Sequence, residues 1–469
     1  RLGNLVDAKE ALGWAARSME YRSGAYCQMA EIYFQEEHFD LALEYARRAL
    51  DFNKYNINGY QIMTVIFRKM RKPKEASQVL KQILEIDPLN HQARFEHYLL
   101  KPGKKNLEYF KSMIRNELPH ENYLEMAIYY EKIGLTADAV ELLMHAPDYS
   151  TVHYWLAYLL KEEAPEQSRE YLNKAQNCSP RLVFPFREES IPVFQWASDR
   201  QPSDWKAKYF LGLILWSKGR LEEARNFLLD CGAPDFAPFY QARGHLFKVI
   251  NPEKALSDFE EALKVDRKSW KVRHHLITYY SELGMFDKSL AFAREAVSTF
   301  PDEGVVRMDL VRSLIKNRLY REALDILEGT EALPFEGATG IHALFVSCQI
   351  ELALIKLVEG HYVQAIKYLE GSKRYPESLG TGKPYDPDFR MQDYFISLCY
   401  DKMGENNKAE ERRKAVYDYT LKFWTEKRRY LYFGGLILQY FGEHTKAKQL
   451  LKETKPSKKV LDIIKALSR

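Results

Sequence analysis

A period of 34 residues constrains the fold of this sequence more than any other feature. Residues 23–56 predict two amphipathic helices joined by a tight turn near Glu37 and His38, and residues 57–90 repeat the pattern. The pattern is carried by Tyr26, Met29, Ala30, Tyr33, Phe39, Ala42, Ala46, Ala49 and Leu50 in the first copy, and by Tyr60, Met63, Phe67, Ala76, Leu80, Ile83 and Pro88 in the second. A hairpin of two such helices exposes apolar surface unless neighbouring hairpins stack on it. The sequence therefore predicts an all-α solenoid of helical hairpins that winds into a right-handed superhelix.

The period continues along the chain and gives roughly 13 units, some of them imperfect. The expected organisation is a second helix of a truncated repeat over 1–22, regular repeats over 23–180, an irregular unit over 181–203, regular repeats over 204–330, repeats with long interrupting loops over 331–458 (the loops at 331–342 and 375–389), and a capping helix over 459–469. Leu5, Ala8, Leu12 and Ala15 keep the register of a second helix whose first helix is missing. We therefore expect the chain to be a fragment of a longer protein.

Charge and hydropathy exclude several classes of function. The net charge is only +4, which is too small over 469 residues to indicate a nucleic-acid-binding protein. The basic stretch 423–432 fits a solvated helix face better than a nucleic-acid surface. The longest apolar run, residues 343–358, contains Gln349, Glu351 and Lys356, so we expect no membrane span.

Cysteine and histidine positions indicate no metal and no cofactor. The five cysteines are scattered without a CxxC pair, which is typical of free, buried thiols. His274 and His275 are adjacent and point to different faces of a helix, and the sequence has no HxxxH pattern.

The whole chain resembles tetratricopeptide-repeat proteins, because the helical pattern recurs in register. Its interruptions at 115–123, 179–190, 233–243, 333–344 and 376–386 resemble the carboxy-terminal repeat region of a large bacterial family whose amino-terminal part is called domain of unknown function 5107. That resemblance implies an upstream β-rich region similar to galactose-mutarotase-like sandwiches, and through it a connection to carbohydrate. The resemblance assigns no established catalytic residues to this chain.

First helices of such an array line a concave groove, and the register places aromatic and basic residues there. The expected groove residues are Arg68, Lys69, Tyr154, Tyr158, Lys161, Lys206, Tyr209, Trp216, Lys271, His274, Arg312 and Lys316. This mixture suits a peptide or an acidic protein segment. An ordinary solvated helix face is the alternative.

The interrupting loops supply a second set of candidates, namely Arg187, Glu188, Glu336, His342, Lys383, Tyr385 and Asp386. The segment 380–385 lacks the first glycine and the Ser/Thr of a phosphate loop, so an ordered turn is expected there. The predicted function is a non-catalytic interaction scaffold that docks a protein partner or its own carbohydrate-related upstream region. The alternative is a glycan-processing enzyme in which Glu336, His342 and Lys383 complete an active site.

Overall fold

A computed structural model describes residues 4–334, 339–424, 426, 430–453 and 456–467. Over these residues the chain is helical, without a strand, and it divides into two compact units, Arg1–Pro234 and Asp235–Arg469. The helices of the first unit are α1 (Leu5–Ala15), α2 (Arg22–Gln35), α3 (Phe39–Phe52), α4 (Ile57–Lys69), α5 (Pro73–Ile86), α6 (His91–Leu100), α7 (Lys104–Ser112), α8 (Pro119–Lys132), α9 (Thr136–Met144), α10 (Ser150–Leu159), α11 (Pro165–Asn177), α12 (Ile191–Arg200), α13 (Trp205–Ser217) and α14 (Leu221–Leu229).

The helices of the second unit are α15 (Ala237–Phe247), α16 (Pro252–Val265), α17 (Trp270–Glu282), α18 (Phe286–Thr299), α19 (Gly304–Lys316), α20 (Tyr320–Glu328), α21 (Gly340–Val358), α22 (Tyr362–Gly371), α23 (Arg390–Lys402), α24 (Asn406–Lys422), α25 (Leu431–Tyr440), α26 (His444–Glu453) and α27 (Lys458–Leu467). In both units, successive helices pack against each other as hairpins. The predicted all-α array of helical hairpins is confirmed.

The hairpin of α2 and α3 shows why the 34-residue pattern folds in this way. Helices α2 and α3 pack closely because Ala30, Ala42, Ala46 and Ala49 have no side-chain bulk at the contact and are completely buried. The turn between them passes through Glu37, which has a positive φ of 63°. The chain therefore turns where the sequence predicts, although at a residue without the conformational freedom of glycine.

The repeat is interrupted where proline and glycine break the helical pattern. Helices α6 and α7 are separated by the Lys101–Pro102–Gly103 break. Before α12, the first helix of a repeat is replaced by irregular chain and a single 3₁₀ turn at Glu188–Ser190. In both places the regular pairing of two long helices is lost.

Helix α21 is long and apolar enough, judged by length and composition only, to cross a membrane, and it is the one such helix among the described residues. Here it packs in the array. Phe345, Cys348, Leu354 and Leu357 are buried against neighbouring hairpins. Its buried face thus serves as a core surface of the second unit.

Candidate functional site

Arg68, predicted to line the groove, lies instead inside a buried network of charges. Its Nε and Nη2 atoms donate to both carboxylate oxygens of Glu96, at 2.7 and 3.0 Å, and Nη2 also donates to Asp138 at 2.8 Å. The hydroxyl of Tyr130 donates to Glu96 at 2.8 Å. The carboxylates raise the pKa of Arg68 against the opposing effect of its burial. The charge of Arg68 is thus already paired with acids from α6 and α9. Lys69 is exposed, and its ammonium group lies 3.7 Å from the same Asp138.

Tyr154 and Tyr209 are also core residues, so their assignment to the groove surface is wrong. Tyr154 is fully buried and donates to Asp204 at 2.7 Å. Burial raises the pKa of the Tyr154 hydroxyl well above its usual value, and the carboxylate of Asp204 adds to this. Asp204 also caps α13 by accepting from the backbone N–H groups of Lys206 and Ala207. Both rings face the repeat core, where their flat surfaces fill gaps between helices.

Lys206 is engaged at the carboxyl end of α11. Its ammonium group donates to the backbone carbonyls of Gln176 and Cys178, the latter at 2.5 Å. A cation at this position satisfies carbonyls that the helix itself leaves unpaired. Lys206 therefore joins α13 to α11 across the irregular unit.

Three predicted groove residues of the first unit remain partly accessible. The ammonium group of Lys161 lies 3.6 Å from the centre of the Tyr158 ring, and that ring meets Trp196 edge-on at 5.9 Å. Trp216 is half-buried on α13. Lys161, Tyr158 and Trp196 therefore form one cation–aromatic cluster.

In the second unit, four predicted residues lie on α17 and α19, and we call Lys271, His274, Arg312 and Lys316 the basic face. His274 Nδ1 lies 2.7 Å from one carboxylate oxygen of Asp309, and Arg312 donates to the other at 3.3 Å. Lys271 precedes His274 by one helical turn, and Lys316 follows Arg312 by one turn. The structure therefore places all four side chains on adjoining first helices.

Asp309 is the residue that the sequence analysis missed. It is buried, whereas Lys271, Arg312 and Lys316 are exposed. No ion pair joins Lys271 or Lys316 to an acid in the part of the chain that the structure describes; the nearest rings to their ammonium groups are Trp270 at 5.6 Å and Phe286 at 5.9 Å. Asp309 holds His274 and Arg312 in place but cannot neutralise four basic side chains. The sequence feature that could have identified Asp309 is its position among the buried, mainly apolar residues of α19.

The loop candidates Arg187 and Glu188 have separate structural positions. Arg187 donates to Glu121 at 3.0 Å and lies 3.8 Å from Glu125. The contact with Arg187 helps to lower the pKa of Glu121 against the opposing effect of burial. Glu188 opens the 3₁₀ turn that precedes α12. Arg187 thus fastens the irregular unit to α8.

The proposed acid–base pair Glu336 and His342 has no support in the geometry of His342. This histidine is buried, its Nε2 lies 2.9 Å from the carbonyl oxygen of Arg374, and its ring stacks on Tyr375 at 4.1 Å. Glu336 lies outside the described residues. The position of His342 is that of a packing residue in the first turn of α21.

The remaining loop candidates are divided between solvent and the following hairpin. Tyr385 is 98% exposed and Lys383 is exposed beside it. Asp386 instead accepts from Lys422 at 2.8 Å through its carboxylate and from the Tyr419 hydroxyl at 3.0 Å through its carbonyl. The loop is therefore anchored to α24 through Asp386, and it exposes Lys383 and Tyr385 to solvent.

The two interrupting loops of the second unit contact each other. The backbone N–H of Ala332 donates to the carbonyl of Ser378 at 2.7 Å. Gly380 has a φ of 66°, and a Cβ there would lie 3.0 Å from the Ala332 oxygen. Glycine is needed at this point for both its backbone angle and its small size. Leu379 is buried with Phe345 and Cys348, so the loop is part of the core.

Two family models, both described as tetratricopeptide repeat, match residues 23–56 and 186–230. The first match covers the hairpin of α2 and α3. The second begins in the irregular unit and continues through α13 and α14.

Solved structures of repeat proteins are similar to this chain. TTC0263, a thermophilic TPR protein in Thermus thermophilus, is 20% identical, with 42% of this chain and 99% of that chain covered and a TM-score of 0.26. Naa15/Naa10 bound to HypK-THB is 14% identical over 99% and 96% of the two chains, with a TM-score of 0.35. Yeast Tom70 is 12% identical over 96% of each chain, with a TM-score of 0.31.

Proposed function

We propose that this tetratricopeptide-repeat protein is a non-catalytic scaffold that binds an acidic segment of a protein partner on the basic face. The observation that carries the proposal is that His274 and Arg312 share the buried acid Asp309, while Lys271 and Lys316 are exposed on the same two helices, α17 and α19. An extended acidic segment lying across α17 and α19 would meet charges from both helices. Because helical repeats present such faces on a rigid framework, binding would need little rearrangement of the chain.

Charge complementarity explains the choice of partner. Lys271 and Lys316 have no acidic partner among the described residues, so a carboxylate from outside would not have to displace an existing ion pair. Trp270 and Phe286 lie close to these two lysines and offer apolar contact beside each charge. The partner segment would therefore combine acidic and apolar residues.

A charge-reversal experiment tests this proposal. Binding of a fluorescein-labelled poly-glutamate peptide to the full chain would be followed by fluorescence anisotropy at increasing salt concentrations. The double variant Lys271→Glu, Lys316→Glu should weaken binding at least about tenfold, because it replaces two attractions by repulsions. The matched control is Lys264→Glu, Lys288→Glu, which makes the same change of charge on the second helices α16 and α18.

Comparison with the control variant distinguishes binding at the basic face from general electrostatic attraction to the chain. Binding that both double variants weaken equally would contradict the basic face as the site. Binding that does not decline with salt, or no binding by the unaltered chain, would contradict an acidic segment as the ligand.

The resemblance of the interrupting loops to the family with domain of unknown function 5107 adds a specific partner to the proposal, namely that family's carbohydrate-related amino-terminal region. Co-purification of this chain with the upstream region of the intact gene product tests the pairing. If the two fail to associate while the peptide still binds, the partner is a separate protein.

A further inference from the structure

Asp148, His153 and Cys178 are distant in the chain but meet in the first unit. One potential ligand atom from each lies within 4.8 Å of the others. Asp148 is in the turn between α9 and α10, His153 is in the first turn of α10, and Cys178 directly follows the last residue of α11. Three helices therefore fix the three positions.

His153 is the buried member of this cluster. The residue is 9% exposed, its Nε2 contacts the carboxylate of Asp148, and its Nδ1 is buried without a hydrogen-bond partner among the described residues. Nε2 is thus the ring nitrogen that meets the Asp148 carboxylate, and a metal ion bound there would replace the proton that the two groups share.

The three residues line a cleft of about 620 Å³. Its wall also includes Leu143, Val152, Tyr171, Lys174 and Asn177. A cleft of this size leaves room for water or another small ligand beside the cluster. The position of Cys178 is fixed because Lys206 holds its backbone carbonyl at 2.5 Å.

We propose that Asp148, His153 and Cys178 bind a Zn²⁺ ion. Nitrogen, oxygen and thiolate sulfur together are the ligand set that zinc accepts in proteins, whereas calcium and magnesium take oxygen ligands. A carboxylate and a thiolate also balance the two positive charges of the ion. Three protein ligands leave one tetrahedral position for a water molecule or a side chain of a partner.

Cobalt substitution tests the proposal on the full chain after treatment with a chelator. Co²⁺ bound by a thiolate gives a sulfur-to-metal charge-transfer absorption band in the near ultraviolet. Titration with CoCl₂ should produce this band at one ion per chain, and ZnCl₂ should abolish it by displacement. The Cys178→Ser variant should lose the band, and Asp148→Asn should weaken Co²⁺ binding at least tenfold.

A folding defect can be distinguished from loss of Co²⁺ binding with these variants and one control. The Asp148 side chain is 86% exposed, so its conservative replacement should leave the thermal unfolding midpoint unchanged. Cys231→Ser removes another buried thiol of the first unit and should keep the band. A band that persists in Cys178→Ser, a loss that is equal in Cys231→Ser, or no band in the unaltered chain would overturn the site.

Discussion

Arg68 and Glu96 form a two-point ion pair between the first helices of consecutive repeats, with nitrogen–oxygen distances of 2.7 and 3.0 Å. Glu96 is almost completely buried. We expect Glu96→Gln to lower the free energy of unfolding by about 3 kcal/mol, because the buried guanidinium loses its main counter-charge. Urea unfolding followed by circular dichroism measures the change.

The control for this prediction is Glu85→Gln, which removes an acid from an exposed pair with Lys81. We expect a change below about 0.5 kcal/mol there. If Glu96→Gln is as mild as the control, the ion pair contributes no net stability.

The second unit should lose stability in mild acid. Burial, followed by the neighbouring His245, His274 and Lys248, lowers the pKa of His275 to about 4. The unfolded chain takes up this proton near the ordinary histidine value of 6.5 and the folded chain near 4, so the stabilising contribution is complete above pH 6.5 and declines as the pH falls towards 4. After allowance for partial exposure, we expect a loss of about 1 to 2 kcal/mol.

Unfolding midpoints between pH 7 and pH 4 check this expectation. His275→Gln should flatten the pH dependence, whereas replacement of His361, which is exposed, should leave it as it is. An identical slope in His275→Gln would show that other groups control the acid response.

Gly434 should not tolerate alanine. An added Cβ would lie 2.6 Å from Oγ1 and 2.9 Å from Cγ2 of Thr420, which is completely buried. We expect Gly434→Ala to destabilise the chain by about 1 to 3 kcal/mol through overpacking. Gly24→Ala is the matched control, because nothing lies within 4 Å of its added Cβ and alanine favours the helix.

A double-mutant cycle identifies the cause of this effect. Thr420→Ala removes the two atoms nearest to the new methyl group and leaves Arg390 Nη1 at 3.2 Å, so it should reduce the cost of Gly434→Ala. Equal costs in both backgrounds would assign the effect to another neighbour.

The thiols should differ in reactivity. Burial raises the pKa of Cys27, Cys348 and Cys399 to about 12. At pH 8 this leaves a thiolate fraction roughly a thousandfold smaller than that of a thiol with the ordinary pKa. The sequence predicts buried thiols, and of the five cysteines Cys178 alone is not fully buried.

We therefore expect Cys178 to be modified first by a disulfide reagent under native conditions after treatment of the chain with a chelator. Peptide mapping by mass spectrometry reads the order of modification. Early labelling of Cys27, Cys348 or Cys399 would show that their helices open readily.

The sequence predicts local features of this fold well. The hairpin of α2 and α3 and the turn between them near Glu37 follow from helical periodicity. The groove was harder to predict, because register places Arg68 and Tyr154 on first helices but does not reveal their acidic partners Glu96 and Asp204.

Most of the candidate site could not be predicted from the sequence, because it depends on contacts between residues that are distant in the chain. Asp309 becomes the anchor of the basic face only after α17 and α19 pack together. His153 and Cys178 belong to different helices, and no short motif connects them. Motif-spacing rules detect candidate ligands that share one turn or one helix, and Asp148, His153 and Cys178 do not share one.

Between Ala332 and Ser378 the chain makes the hairpin of α21 and α22 within the array, and the loops that lead into and out of this hairpin meet through a backbone hydrogen bond. The entry and exit of this hairpin are therefore adjacent in space. In evolutionary terms, such a segment can be gained, lost or exchanged as a single cassette, because the flanking ends already meet and can be rejoined by a short connection. Arrays of this kind can thus change length by whole hairpins and keep the neighbouring repeats intact.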